Sequence, residues 1–352
     1  MIKCDDFDAY PRIYLTFMYT LSILAPPVNL FAVFCIICKS TNQMGAFKWY
    51  LLLYQTMSST SNFLYTTVTL PVVFFPLPMC YTGSWIAGLL DMSVHTAVIL
   101  VIPFGTIHVS CTFCLFAYRI HLILPHNHFL RLKGNGHVYA SVAFFAVYSV
   151  PTIAALIDSS PDQNAAKRWI LSEYSCAASV INVSRLHIYT PDSIRHFMTA
   201  VTILAVMTLP LAALILGLSY HLLNRTNYLS QRTRSMQKRF FGYLSVQVSV
   251  PFLCLSLPIF CLVLLMWTTE VNVQGDDVLR WPPPQGRCDT GVGNFALGAC
   301  GLHGIIASTA IIFCNEPYRH FTLTLIMSRC KRNSRHVCVS QTTDRNIMQG
   351  SS

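Results

Sequence analysis

Fourteen cysteines and twelve histidines supply enough soft ligands and nucleophiles for a metal site or a redox centre. Their spacing argues against both. Cys35/Cys38 and Cys111/Cys114 have the two-residue gap of a zinc hairpin, yet each pair lies in an apolar run without partner ligands. A thiol in that setting is a small buried hydrophobe. The sequence holds no H-E-x-x-H, no G-x-S-x-G and no P-loop, so no catalytic residue, metal or cofactor is indicated and the chain does not read as an enzyme. What remains is a set of uncharged polar residues inside apolar runs: Gln55, Asn62, His95, His108, Gln247, Asn294 and His303. An ionisable residue so placed points to function, although a histidine bonded to a neighbouring helix is the commoner case. His95, near the outer end of its run, is the first choice for lining a ligand pocket.

The runs that hold these residues are the dominant signal. Seven stretches lack any Asp, Glu, Lys or Arg: Ile13–Cys38, Trp49–Leu77, Ser93–Tyr118, Val138–Ile157, Phe197–Leu222, Phe240–Trp267 and Gly291–Cys314. Each reaches the ~20 residues that cross a hydrocarbon core of ~30 Å. Together they fill about half the chain, where 11% charge overall would place about twenty ionised side chains. They hold none. A soluble helical core would need charges on the outer face of every helix, so the pattern predicts an all-α membrane protein, a bundle of seven transmembrane helices.

Orientation follows from the loops. With the N-terminus outside, the cytoplasmic segments hold sixteen basic residues against two acids, Glu316 and Asp344. Positive-inside bias then puts the N-terminus outside and the C-terminus in the cytoplasm. The net charge of +10 is a topology signal and does not indicate nucleic-acid binding. The expected organisation is an extracellular N-terminus (1–12), a transmembrane domain (13–314) and a cytoplasmic tail (315–352). No cleavable leader is expected; Ile13–Cys38 reads as a reverse signal-anchor. The longest loop, Asp158–His196, reads as solvated, and Phe321–Met327 as a stretch lying along the membrane. Gly298, Gly301 and Gly304 form a small face that lets helices approach closely.

This topology places Cys4, Cys80, Cys176 and Cys288 outside, where disulfides form, with three connectivities open. Cys80–Cys176 is preferred, because it would pin the long second outer loop across the bundle mouth. Asn182-Val183-Ser184 is a glycosylation sequon on that loop, and Cys330, beside Lys331 and Arg332, is a candidate for palmitoylation.

Several local motifs resemble nematode serpentine chemoreceptors, class H most closely and class I next. They are Met44-Gly45-Ala46-Phe47-Lys48-Trp49, Pro161-Asp162-Gln163 with Ala166-Lys167, Met236-Gln237-Lys238-Arg239-Phe240-Phe241, and His303-Gly304 with Asn315-Glu316-Pro317-Tyr318-Arg319. The resemblance spans roughly residues 1–325 and implies a G-protein-coupled receptor. Three departures from the wider superfamily are visible, the first being that no cysteine opens the third run. Tyr118 stands where an acid usually precedes the arginine, and the seventh run lacks Asn-Pro-x-x-Tyr.

The resemblance implies a chemosensory receptor in the plasma membrane of sensory neuron cilia. It would bind a small odorant or pheromone-like molecule among the outer halves of its helices and activate a heterotrimeric G protein. Tyr118, Arg119, Arg234, Lys238 and Arg239 are the expected G-protein contacts. The alternative is a transporter or ligand-gated channel, but carriers usually show intramembrane charges or repeat symmetry, and neither is present.

Overall fold

The computed structural model describes residues 8–75, 77–124, 134–225, 231–264 and 290–328. Its long helices are α1 (Arg12–Lys39), α2 (Phe47–Phe63), α4 (Val94–Ile123), α5 (Gly136–Asp158), α7 (Pro191–Arg225), α8 (Gln231–Pro251) and α10 (Thr290–Cys314). Shorter ones are α3 (Trp85–Leu89), α6 (Gln163–Glu173), α9 over 257–264 and α11 over 316–328. Five helices, α1, α4, α5, α7 and α10, contain unbroken stretches long and apolar enough to cross a membrane. The second and sixth spans are interrupted. α2 passes into a π turn at Leu64–Thr69, and α8 passes through another at Phe252–Ser256 into α9. Such wide turns arise where the helical ladder loses a donor or meets a competing group. Pro251 removes a donor at the second turn. At the first, the Thr66 hydroxyl donates to the Asn62 carbonyl at 2.9 Å.

The second span ends earlier than its charge-free run suggests. Leu70 adopts a left-handed conformation (φ 37°) and Pro71 follows, so the helix cannot continue. The chain becomes strand β1 (Pro71–Val73), which pairs antiparallel with β2 (Met79–Thr82), and β2 pairs with β3 (His187–Ile188). Val73 sits opposite Cys80, and Cys80 opposite His187. An apolar strand sealed under a cap excludes charge as firmly as lipid does, so the missing charges could not separate the two.

The segment read as a solvated loop also belongs to this cap. Its Ala166, Ile170, Ala177, Val180 and Ile188 are fully buried in one apolar cluster with Met18 and Leu21 of α1. The Pro-Asp-Gln motif explains how it holds together. Asp162 caps α6 by accepting from the Asn164 amide at 3.1 Å. Gln163 acts as an extra strand partner for β3: its Oε1 accepts from the Ile188 amide at 3.0 Å, and its Nε2 donates to the Ile188 carbonyl at 3.2 Å. Tyrosine hydroxyls bolt the cap to α1 and to the segment that leads into it. Tyr14 donates to the Pro71 carbonyl at 2.6 Å, and Tyr81 to the Ala9 carbonyl at 2.9 Å.

At the far end, Met44-Gly45 and Tyr318 meet. Gly45 takes φ 50° to close the turn Asn42–Met44. The fully buried Tyr318 hydroxyl lies 2.7 Å from Ser40 Oγ and 3.6 Å from Met44 Sδ. α11 lays Phe321 against Phe31 and Phe34, with Lys39 Nζ 4.3 Å above the Phe321 ring. Its Leu325, Ile326 and Met327 stay exposed.

The glycine face of α10 performs the expected packing, divided between two neighbours. A Cβ at Gly301 would stand 3.0 Å from Met18 Sδ on α1, and one at Gly304 would overlap the Asn62 side chain on α2. We expect Gly304→Ala to lower the melting temperature of the detergent-purified protein, at the cost of about 1–3 kcal/mol typical of overpacking. Gly242→Ala, which adds a methyl with nothing within 4 Å, should leave it unchanged or slightly raised. Equal melting of the two variants in a fluorimetric scan would refute the close approach.

Candidate functional site

Where the cap meets the bundle, three aromatic side chains from two elements come together. Ser93 caps α4 by accepting from the Thr96 amide at 3.2 Å, and this fixes the first turn that carries His95. β3 supplies His187, and Tyr189 follows it. The His95 and His187 rings stack at 4.8 Å with planes 10° apart. His95 Nδ1 lies 3.0 Å from the Tyr189 hydroxyl, and the Tyr189 ring is 4.6 Å from His187. All three are buried, at 7%, 5% and 8% exposure. His187 Nε2 is buried with no hydrogen-bond partner. Apolar walls come from Ile194 and Met198 of α7 and Val263 of α9, with Cys80 packed beside them. Cys80 carries a free thiol here; the side chain of Cys176, its expected partner, lies outside the described residues.

A second polar group crosses the middle of the bundle. Ser308 of α10 donates to Asn29 Oδ1 at 2.6 Å and accepts from Gln55 Nε2 at 2.7 Å, linking α1, α2 and α10. Asn62 Nδ2 donates to the Gly301 carbonyl at 3.0 Å. His108 is wholly buried between the Tyr54 and His303 rings, at 4.8 and 5.0 Å. For Gln55, Asn62 and Asn294 the structure gives a packing role; Asn294 Oδ1 accepts from the Val73 amide at 3.3 Å and so holds β1. The side chain of Gln247 lies outside the described residues. No group of three or more metal-ligating residues occurs among the described residues.

At the far end, Tyr118 packs on Tyr50 and Phe47, with ring centroids 4.7 and 6.4 Å apart. α8 starts earlier than the charge-free run, so Lys238 and Arg239 ride on a helix, both exposed, while Phe241 beside them is buried. The side chains of Arg119 and Arg234, and the whole of Cys330, lie outside the described residues. Asn182 is exposed on the cap.

The profile of the serpentine type 7TM GPCR chemoreceptor Srh family matches residues 9–276, about three quarters of the chain. The chain belongs to the Srh family. It is therefore a multi-pass membrane protein and a chemoreceptor of class H, from a family of receptors and not of enzymes. Among curated proteins, none matches it. The family match stops before α10, so the motifs at His303 and Asn315 lie beyond it.

Of the proposed site residues in this receptor, His95 lies in the cap cluster and Tyr118, Lys238 and Arg239 lie at the opposite end. His187 and Tyr189 are hidden in the sequence because the charges of the surrounding segment make it read as solvated. The alternation through Leu186-His187-Ile188-Tyr189 was the available signal for a strand with two faces.

Burial, and then the neighbouring His95, push the His187 pKa down from 6.5 to about 4. An imidazole with a folded pKa below its unfolded value takes a proton more readily when unfolded. Its contribution is thus intact above pH 6.5 and is lost as pH falls from there toward 4. We expect the melting temperature of the purified receptor to drop over that window and His187→Gln to flatten the drop. An unchanged slope in His187→Gln would show that His187 already titrates normally in the folded state.

Proposed function

We propose that this receptor binds a small ligand at the His95–His187–Tyr189 cluster and activates a heterotrimeric G protein from the opposite end. The observation that carries this reading is a buried polar cluster at the junction of the cap with α4, α7 and α9. Elements from four parts of the chain converge there, so a bound molecule touches all of them. Ligand that binds one arrangement of these helices better than another shifts the balance between them, and by no more than that difference in affinity. The cap faces outward, a placement the loop charges support, in the plasma membrane of sensory cilia. The far end then presents Tyr118, Arg119, Arg234, Lys238 and Arg239 to the G protein.

Two experiments test this. An epitope tag at the C-terminus should stain only after permeabilisation, and glycosidase should shift the wild type but not Asn182→Gln. Staining of that tag in intact cells would reverse the topology. For signalling, Arg119→Ala should keep surface expression yet lose most of its stimulation of nucleotide exchange on a co-expressed G protein. Arg119→Lys should recover little, because a guanidinium donates in a fixed fork that an ammonium lacks. A residue that only anchors the helix would give the opposite result, since lysine snorkels as well as arginine. Ligand-gated current without G protein would favour the channel reading instead.

A further inference from the structure

The chemistry of the cap cluster also restricts its ligand, a step that rests on that cluster being the binding site. Among the described residues it contains no Asp, Glu, Lys or Arg, and its walls are aliphatic or aromatic. The nearest ionised residues along α7, Asp192 and Arg195, pair with each other at 3.6 Å with their side chains 93% and 45% exposed, so they are turned to solvent. Asp158 Oδ2 lies 3.6 Å from His196 Nδ1, and both side chains are three-quarters exposed. One polar atom in the cluster stands out: His187 Nε2, on a side chain more than nine-tenths buried, has no partner. Its neighbour His95 is already bonded to Tyr189. A buried imidazole nitrogen left without a hydrogen bond costs free energy that a ligand can recover.

We propose that the ligand is an uncharged molecule with an apolar body and a hydroxyl or carbonyl group that hydrogen-bonds to His187 Nε2. The apolar body lies against Met198 and Val263. A neutral imidazole can serve a carbonyl as donor or a hydroxyl as acceptor, according to its tautomer. An ion would enter a site with no countercharge among the described residues, and the site cannot easily make one. Burial holds the His187 pKa at about 4, raises that of Tyr189 and takes the Cys80 thiol to about 12, so all three stay neutral at physiological pH. Burying an unpaired ion there would cost several kcal/mol. The one described guanidinium with a buried, unpartnered nitrogen is Arg185, which lies over Gly88 of α3. It is the group an anionic ligand would use.

The test is a panel of straight-chain alcohols, ketones, carboxylates and primary amines matched for carbon number. It is applied to cells expressing the full-length receptor with a calcium reporter, and to purified receptor in a thermal-shift assay. Alcohols or ketones should activate or stabilise the receptor, and their acid and amine counterparts should not. His187→Phe keeps the ring stack and removes the nitrogen, so it should weaken the neutral ligands about tenfold, the worth of one hydrogen bond. His187→Gln should restore part of the loss. If His187→Phe fails to reach the surface, His187→Gln against Tyr81→Phe, which removes a cap hydroxyl outside the cluster, reads the same contrast, with only the first shifting potency. Activation by carboxylates that Arg185→Gln abolishes would overturn the proposal while leaving a ligand site in the cap. Binding of neutral ligands that is insensitive to both His187 variants would overturn it too. If no class of compound activates or stabilises the receptor, the cap cluster is not the ligand site, and both readings fall.

Discussion

Ser308, Gln55 and Asn29 sit where no water reaches, and Ser308 bonds the other two. In hydrocarbon a polar group without a partner costs several kcal/mol, so a hydrogen bond between helices fixes which helices are neighbours and at what depth. Ser308 donates to Asn29 and accepts from Gln55, and that chain sets α10 between α1 and α2. Association inside lipid gains little from burying apolar surface, because lipid tails are as apolar as leucine. Contacts of this type and close approach must supply the specificity. The glycine face supplies the approach: Gly298 and Gly301 admit α1, and Gly304 admits Asn62, which then reaches the Gly301 carbonyl.

The same demand for satisfied polar groups shapes the two broken spans. A strand cannot face lipid with an open edge. β1 avoids this by lying under the cap, paired with β2 on one side and bonded to Asn294 on α10 through its Val73 amide. At the other edge of the sheet, Gln163 takes the place of a fourth strand for β3. The sheet is therefore closed by side chains on both sides, although it has only three short strands.

This is also where legibility from sequence ended. Absence of charge picked out the apolar helices, because ionised groups are expensive in hydrocarbon wherever they occur. It could not find the end of α2, since residues 71–77 are apolar for a different reason: they are buried in protein. The Asp158–His196 segment misled in the opposite way. Its charges, among them Asp162, Lys167, Arg168 and Glu173, are genuinely exposed, but they decorate an element whose Ala166 and Ile170 face is buried. Averaged over the loop, polarity hid the amphipathic helix. The short motifs fared better, because each names residues with one specific structural role: Gly45 for its positive φ, Asp162 and Gln163 for a cap and a sheet edge, and Tyr318 for its bond to Ser40.

One helix touches all three polar regions. α4 carries His95 in its first turn, His108 at mid-depth and Tyr118 near its end, so what happens at the cap and at the far end is linked through a single element. Between His95 and His108 lies Pro103, which cannot donate to the turn before it. Thr106, one turn on, bonds the Ile102 and Pro103 carbonyls at 3.1 and 2.9 Å and lies 2.6 Å from Ser149 Oγ on α5. The cap half of α4 is thereby joined to the lower half through a weakened segment, while the lower half is held to α5. Under the proposed reading, ligand acts on the cap half, which carries His95. His108 lies just past that joint, packed against Tyr54 and His303 instead of bonded, so its contacts can change without breaking a hydrogen bond in lipid. The Ser308 chain ties α1, α2 and α10 together, and α4 packs on that frame through its aromatic end, Tyr118 on Tyr50 and Phe47, where the G protein is proposed to dock.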